Sequence, residues 1–267
     1  LLSAEKLLKR ETGEERLTIT NDSQKIDENK DKGQIATSKM KVTIDKNAQE
    51  QELSLMEKQL VEACDRYIEL VPDAEDEAKV RLRAAVIFFD RIQYVKAAQR
   101  FGYIIKRWPQ EKTSATAAQL ILESLAIKEE WAQLNTSARE FAQNDKLLAG
   151  KDKEEFRRNL ALYIEGSAFQ YATEINNEKK DYPQAAKLFR EFVKEFPKSR
   201  FSPIALYNSF VIYQRAKELD TAIEMGEQLL AEYKDCDTPE NRTLPTMDKG
   251  AKPEQRAAIL PLLVFDL

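Results

Sequence analysis

Apolar residues recur along most of the chain at the three- to four-residue spacing of helices that bury one face. From about Asn47 this pattern divides into short segments that end near a proline, a glycine or a polar run. The pattern predicts a first helix ending before Pro72 and an all-α fold. The further predicted helices are 78–91, 94–108, 113–128, 131–144, 153–177, 183–196, 203–217 and 221–233.

Alternate helices share nearly the same sequence pattern, which is typical of a repeat protein. Each has a marker position, followed by a core position at +4, another at +7 and a proline or lysine at +12. Marker, +4 and +7 fall on one helix face and form a stripe against a neighbouring helix. A fixed period in the 30s predicts stacked helical hairpins, about five here, in a right-handed superhelix. The markers are Leu60, Ala97, Leu134, Ala185 and Ala222, at intervals of 37, 37, 51 and 37 residues.

The two ends of the chain differ from the repeats. Residues 1–46 are polar and charge-dense, with a short helix expected at 4–9 and an extended stretch at 41–44. Residues 237–267 are interpreted as a loop and the start of a truncated hairpin from Glu254. The hairpins between them are divided into 47–150 and 151–236, and the second part holds the 51-residue interval as a 14-residue insertion. Both ends are expected to be cut edges of a longer protein.

Composition excludes several functions. The net charge is −4 with acidic and basic residues interspersed, which argues against nucleic-acid binding. The chain has no histidine and only two cysteines, so no metal site or cofactor is expected. Cys64 lies on a buried stripe and is predicted to be a core thiol. No apolar run of about 18 residues is present, so no membrane-spanning segment is predicted.

The chain resembles the tetratricopeptide repeat (TPR) family over about residues 47–236. It shares with that family small residues where helices cross, aromatic residues on the second helices and a terminal proline. Ala84, Ala85 and Phe88 match first-helix packing positions of that family, whereas Arg81 replaces a usual large apolar residue. The 37-residue period and linkers such as 196–203 are similar to TPR proteins of the bacterial cell envelope. These are the TPR subunit of the outer-membrane β-barrel assembly machinery and the coordinator of the Tol–Pal system.

This resemblance implies a non-enzymatic scaffold for protein–protein interaction in a cell-envelope complex, at the periplasm or outer-membrane periphery and in a membrane-associated assembly. First helices of TPR proteins line a concave groove, where another protein or a peptide would bind. Leu82 and Val86 stand where chaperone-binding members carry a carboxylate clamp, which argues against a chaperone-tail reader. The candidate groove residues are Leu82, Val86, Phe89, Gln119, Glu123, Tyr207, Val211 and Gln214.

Alternatives remain for this surface and for the function. Val86 and Phe89 could instead pack within the chain, including on its N-terminal segment. A cytosolic, peptide-sensing TPR regulator is the second functional hypothesis. A third is an enzyme that uses the insertion near 163–180, although Glu165, Glu174 and Glu178 there come without a nucleophile–base pair. The acidic run at 73–77 is expected to cap the next helix rather than to bind a cation.

Overall fold

The structure is a computed structural model that describes residues 49–150 and 153–232. Four predictions from the sequence lie outside these residues. They are the short helix at 4–9, the extended stretch at 41–44, the loop from residue 237 and the helix from Glu254.

Ten α-helices make up most of the described ranges, in which no strand occurs, so the predicted all-α fold is confirmed. The predicted bounds of α2 to α5 and α8 to α10 agree within two residues, and α1 ends before Pro72 as predicted, whereas the C-terminal bound of the long helix α7 differs. The one-turn helix α6 and a π-helical turn at Ile175–Lys179, which extends α7, were not predicted. The helices are α1 (Leu55–Leu70), α2 (Glu77–Asp90), α3 (Tyr94–Arg107), α4 (Lys112–Ile127), α5 (Trp131–Ala142), α6 (Asp145–Leu148), α7 (Glu154–Glu174), α8 (Tyr182–Glu195), α9 (Ser202–Arg215) and α10 (Leu219–Glu232).

Helices adjacent in sequence pack against each other in two compact units, one ending at Ala161 and the other beginning at Leu162. In the first unit α2 packs on α3 and α4 packs on α5, and each of these pairs is one hairpin. In addition, α1 packs on α2 and α3 packs on α4. In the second unit α8 packs on α9 and α9 on α10. The C-terminal part of α7 joins the same core, because the Phe169 ring lies 5.9 Å from that of Phe189. Residues 49–54, which precede α1, are not helical.

The predicted marker stripe is the core of these hairpins. All five markers are at most 2% exposed, and the +4 residues Cys64, Phe101, Ala138 and Phe189 at most 1%. At +7, Ile104, Phe192 and Leu229 are buried, while Tyr67 and Phe141 are half-buried. Burial of this stripe supplies the apolar driving force for each pair. The predicted burial of Cys64 is confirmed.

The junctions between hairpins are also repeated. Helices α1, α3 and α8 each end two residues before a proline, because the residue preceding proline disfavours helical geometry. Ser114 Oγ donates to the Trp108 carbonyl at 2.7 Å, and Ser202 Oγ donates to the Phe196 carbonyl at 2.6 Å. The start of the next first helix therefore satisfies a carbonyl at the end of the preceding helix.

The turn inside each hairpin is likewise shared. Ile92, Glu129 and Lys217 occupy the same repeat position with φ of 63°, 57° and 62°. Each donates its N–H to the carbonyl three residues earlier, and the next residue donates to the carbonyl five residues before it. This left-handed helix ending usually contains glycine, and a residue with a side chain adopts it at a cost of about 1–2 kcal/mol.

Candidate protein-binding surface

The eight candidate groove residues fall on three equivalent positions of the first helices. Leu82, Gln119 and Tyr207 share one position, and Val86, Glu123 and Val211 share the second. Phe89 and Gln214 share the third. In the first unit α2 and α4 pack side by side, which places the first two positions of each on neighbouring helices. Those of α9 lie in the second unit.

In the first unit these positions combine apolar side chains with a buried carboxylate. Leu82 and Val86 are half-buried and one helical turn apart on α2. On α4, Gln119 Nε2 donates to Glu123 Oε1 at 3.0 Å, and Glu123 is only 6% exposed. This surface is therefore apolar along α2, and on α4 it is polar with its carboxylate largely withdrawn from solvent.

Phe89 belongs partly to the interior of its hairpin. Its ring lies 5.2 Å from the Tyr94 ring and 6.4 Å from that of the buried Phe101, both on α3. Burial raises the pKa of Tyr94, and the nearby Asp90 carboxylate adds to this effect. The half-buried Phe89 therefore helps to hold α2 against α3.

In the second unit the three α9 residues are all half-buried. Tyr207 and Val211 pack against the core of this unit, and the Tyr207 ring lies 6.4 Å from that of Phe210, which is 2% exposed. Tyr207 and Val211 are therefore each in contact with the core on one side and partly exposed to solvent on the other. Side chains held in this way lose little conformational freedom when a partner covers them.

A group of aromatic and arginine side chains was missed from the sequence. The guanidinium of Arg81 lies 4.4 Å from the centre of the Tyr103 ring and 6.0 Å from that of Trp108. Arg81 also pairs with Glu77 at 2.8 Å, while Tyr103 remains 48% exposed. Arg81 therefore replaces the usual apolar residue because its planar cation packs on aromatic rings of α3 and its C-cap residue. The departure from the TPR pattern was visible, but its partner rings were not.

The acidic residues before and at the start of α2 have structural partners. Asp76 accepts a hydrogen bond from the Tyr67 hydroxyl at 2.8 Å, and Asp73 pairs with Arg107 at 3.2 Å. The Asp76 side chain makes no capping hydrogen bond to α2, while Glu77 lies in the first helical turn, where a carboxylate favours the positive end of the helix dipole. Within 49–150 and 153–232 no cluster of carboxylates or cysteines suited to a metal ion occurs.

A more buried ion pair joins α1 to the end of α2. Arg91 Nε donates to the Glu57 carboxylate at 2.9 Å, and Glu57 is 1% exposed. Glu57 also forms a capping box with Ser54. Burial by itself would raise the pKa of Glu57, but the hydrogen bonds from Arg91 and Ser54 hold that pKa below its usual value.

Two of the three carboxylates of the insertion, Glu165 and Glu174, have local partners. Glu165 accepts a hydrogen bond from Ser199 Oγ at 2.5 Å, which links α7 to the turn after α8. Glu174 pairs with Lys179 at 2.9 Å across the π-helical turn. These contacts hold the lengthened hairpin together, and the Ser199 hydroxyl also accepts the N–H of Phe201 at 3.1 Å.

Comparison with known proteins identifies the class of this hairpin. Residues 160–199 match the family described as tetratricopeptide repeat, a range that runs from α7 through α8 to the following turn. This segment is therefore a TPR repeat, a type that typically mediates protein–protein contacts without catalysis. No match to a curated protein was found. Among the described helices, none is long and apolar enough to cross a membrane.

Proposed function

We propose that this chain is a non-enzymatic scaffold whose first helices bind another protein or a peptide within a bacterial cell-envelope complex. The observation that carries the proposal is the TPR repeat at 160–199, set among hairpins with the same buried stripe and the same left-handed turn. TPR hairpins act by presenting a continuous surface of first helices to a partner.

The half-buried residues of the candidate groove support this surface. Val86 and Val211 occupy the same repeat position on α2 and α9, and both are partly open. A half-buried, branched apolar side chain offers a preformed contact for an apolar residue of a partner. Gln119 adds a polar group on α4, where a bound backbone could find a hydrogen-bond partner.

The placement in the cell envelope rests on the period and the linkers. Three of the four marker intervals are 37 residues, and linkers such as 196–203 resemble those of envelope TPR proteins. The periplasm or outer-membrane periphery is the corresponding location. A cytosolic, peptide-sensing TPR regulator is the alternative, and protease access to the full-length protein in spheroplasts separates the two. Digestion before lysis supports the envelope, and protection until lysis supports the cytosol.

The binding surface is tested by placing a charge on it. We expect Val86→Glu and Val211→Glu to reduce co-purification of partners at least tenfold, because an isolated carboxylate resists burial in an apolar contact. Val95→Glu is the matched control, since Val95 is 67% exposed on the second helix α3. Circular dichroism must show unchanged helix content in each variant. Equal partner recovery from all three variants would contradict the proposed surface.

A further inference from the structure

The last described helix, α10, exposes an apolar face that its counterpart α8 has covered. Ile223 is 43% exposed, and Leu230 is half-buried two turns further along. The equivalent residues of α8, Ala186 and Val193, are 0% and 3% exposed. We call Ile223, Glu227 and Leu230 the end face, since they lie at i, i+4 and i+7 on one side of α10.

The helix that covers this face on α8 is the next first helix, α9. Ser209 Oγ of α9 donates to the Ala186 carbonyl at 3.2 Å, and α8 and α9 pack along each other. Leu219, also on α10, provides a contrast. It is 57% exposed, but its counterpart Tyr182 is 45% exposed although α9 follows α8. Exposure of Leu219 is therefore ordinary for the repeat, whereas exposure of Ile223 indicates a missing cover.

The equivalent face of α1 is covered by the first helix that follows it, α2. Val61 of α1 stands one residue after its marker, as Ile223 does, and is 8% exposed. It shares a buried cluster with Ala84 and Ile87 of α2. Ala84 is fully buried, since its small side chain lets the two helices approach closely.

A short sequence of α2 recurs, with conservative changes, in the chain after α10. Residues 83–87 read Arg-Ala-Ala-Val-Ile, and residues 256–260 read Arg-Ala-Ala-Ile-Leu. Ala84 and Ile87, which share the buried cluster with α1, correspond in order to Ala257 and Leu260. Between Glu232 and Arg256 lie 23 residues, which can span several tens of ångströms and place no limit on docking.

We propose that the segment Arg256–Leu260 of this chain docks on the end face as α2 docks on α1, with Ala257 against Ile223 and Leu260 near Leu230. Pro261 follows at once and ends the docked helix one turn earlier than α2 ends. The array would then be closed by its own chain, as repeat proteins require of their terminal units. A second copy of the chain and a separate partner are the competing occupants.

Disulfide trapping tests the contact in the full chain. Ile223→Cys and Ala257→Cys are combined with Cys236→Ser, and the buried Cys64 is retained. We expect most chains to form a bond within one molecule under mild oxidation, because the paired Cβ atoms would lie within disulfide reach. The matched control replaces Ile223→Cys by Glu224→Cys, whose counterparts Glu62, Gln99 and Lys187 are all exposed. Trapping no greater than in the control, or trapping between isotopically distinct chains after mixing, overturns the proposal.

Thiol labelling gives a second readout that does not depend on bond geometry. We expect Ile223→Cys to react with a maleimide at least tenfold more slowly than Leu219→Cys, in purified protein and independently of dilution. Adding Leu260→Asp should abolish the protection at position 223 and leave position 219 unchanged, because a carboxylate does not dock on an apolar face. Fast labelling at 223 in the otherwise natural full chain, or protection that is lost on dilution, contradicts an intrachain cover.

Discussion

The junction of α1 with α2 and α3, and the core of the second unit, use the same repeat register with different chemistry. At the junction, Arg91 forms an ion pair with the buried Glu57, and the Arg100 guanidinium donates a hydrogen bond of 2.8 Å to each carboxylate oxygen of Asp65. In the core of the second unit, Phe169 stacks on Phe201 with ring centres 4.8 Å apart and also meets Phe192 at 5.5 Å. The register fixes where helices meet, but not whether charges or rings join them. Aromatic rings stabilise the fold through the apolar area that they bury. A buried charge pair adds little net stability, but removing one partner is strongly destabilising because the other charge is left buried alone.

The largest effect is expected from the aromatic core. Phe189→Ala should lower the free energy of unfolding by about 3–5 kcal/mol, because Phe189 is fully buried and its removal leaves a cavity beside Phe169. Leu188→Ala on the same helix is the control, and its half-buried side chain should cost clearly less. Urea denaturation of both variants measures the difference, and equal losses would refute the distinction between core and periphery.

The polar junction should respond less, but specifically. Arg91→Met leaves the Glu57 carboxylate buried without its guanidinium partner, and we expect a loss of about 2 kcal/mol. Arg66→Met removes an exposed pair with Glu62, where both side chains are more than two-thirds exposed, and should cost at most about 0.5 kcal/mol. Similar values for the two variants would show that the Arg91–Glu57 pair does not stabilise the junction.

Acid should weaken the same junction. The pKa of Glu57 is lower in the folded protein than its ordinary value of about 4.3, so its contribution is present above that value. The contribution is lost as the pH falls through the folded pKa, when the carboxylate takes up a proton. The difference in unfolding free energy between the natural chain and Arg91→Met should therefore shrink as the pH falls from 6 toward 3. A difference that stays constant over this range would exclude ionised Glu57 as its source.

The smallest expected effect concerns the turn that both regions share. Lys217→Gly should stabilise the protein by about 0.5–1 kcal/mol, because glycine adopts the left-handed geometry at φ 62° without steric cost. Lys198→Gly is the matched control, an exposed lysine outside the left-handed region, and should destabilise slightly through chain entropy. Thermal melts compare the two substitutions. Destabilisation by Lys217→Gly would mean that its side chain contributes more than the turn costs.

Particular residues show what could be predicted from the sequence. The markers and their +4 partners were identified because helix periodicity directly reports the buried face, and the prolines at +12 located the helix ends. The turns at Ile92, Glu129 and Lys217 were not foreseen, because no glycine marks them and the hairpin packing imposes the strained conformation. The π-helical turn and the ring partners of Arg81 depend equally on tertiary contacts. For the candidate groove, the sequence assigned residues to α2, α4 and α9, but could not show that Phe89 also contacts Tyr94 and Phe101.

In the proposed function, the first helices present the partner-binding surface. The most direct test places a photo-crosslinking amino acid at Val211 of α9, and at the exposed Val95 of α3 as the control, in full-length protein expressed in its native cells. We expect irradiation to give a discrete protein adduct from position 211, identified by mass spectrometry, and none from position 95. The same adducts in equal yield from both positions, or an adduct from position 95 alone, would contradict the account.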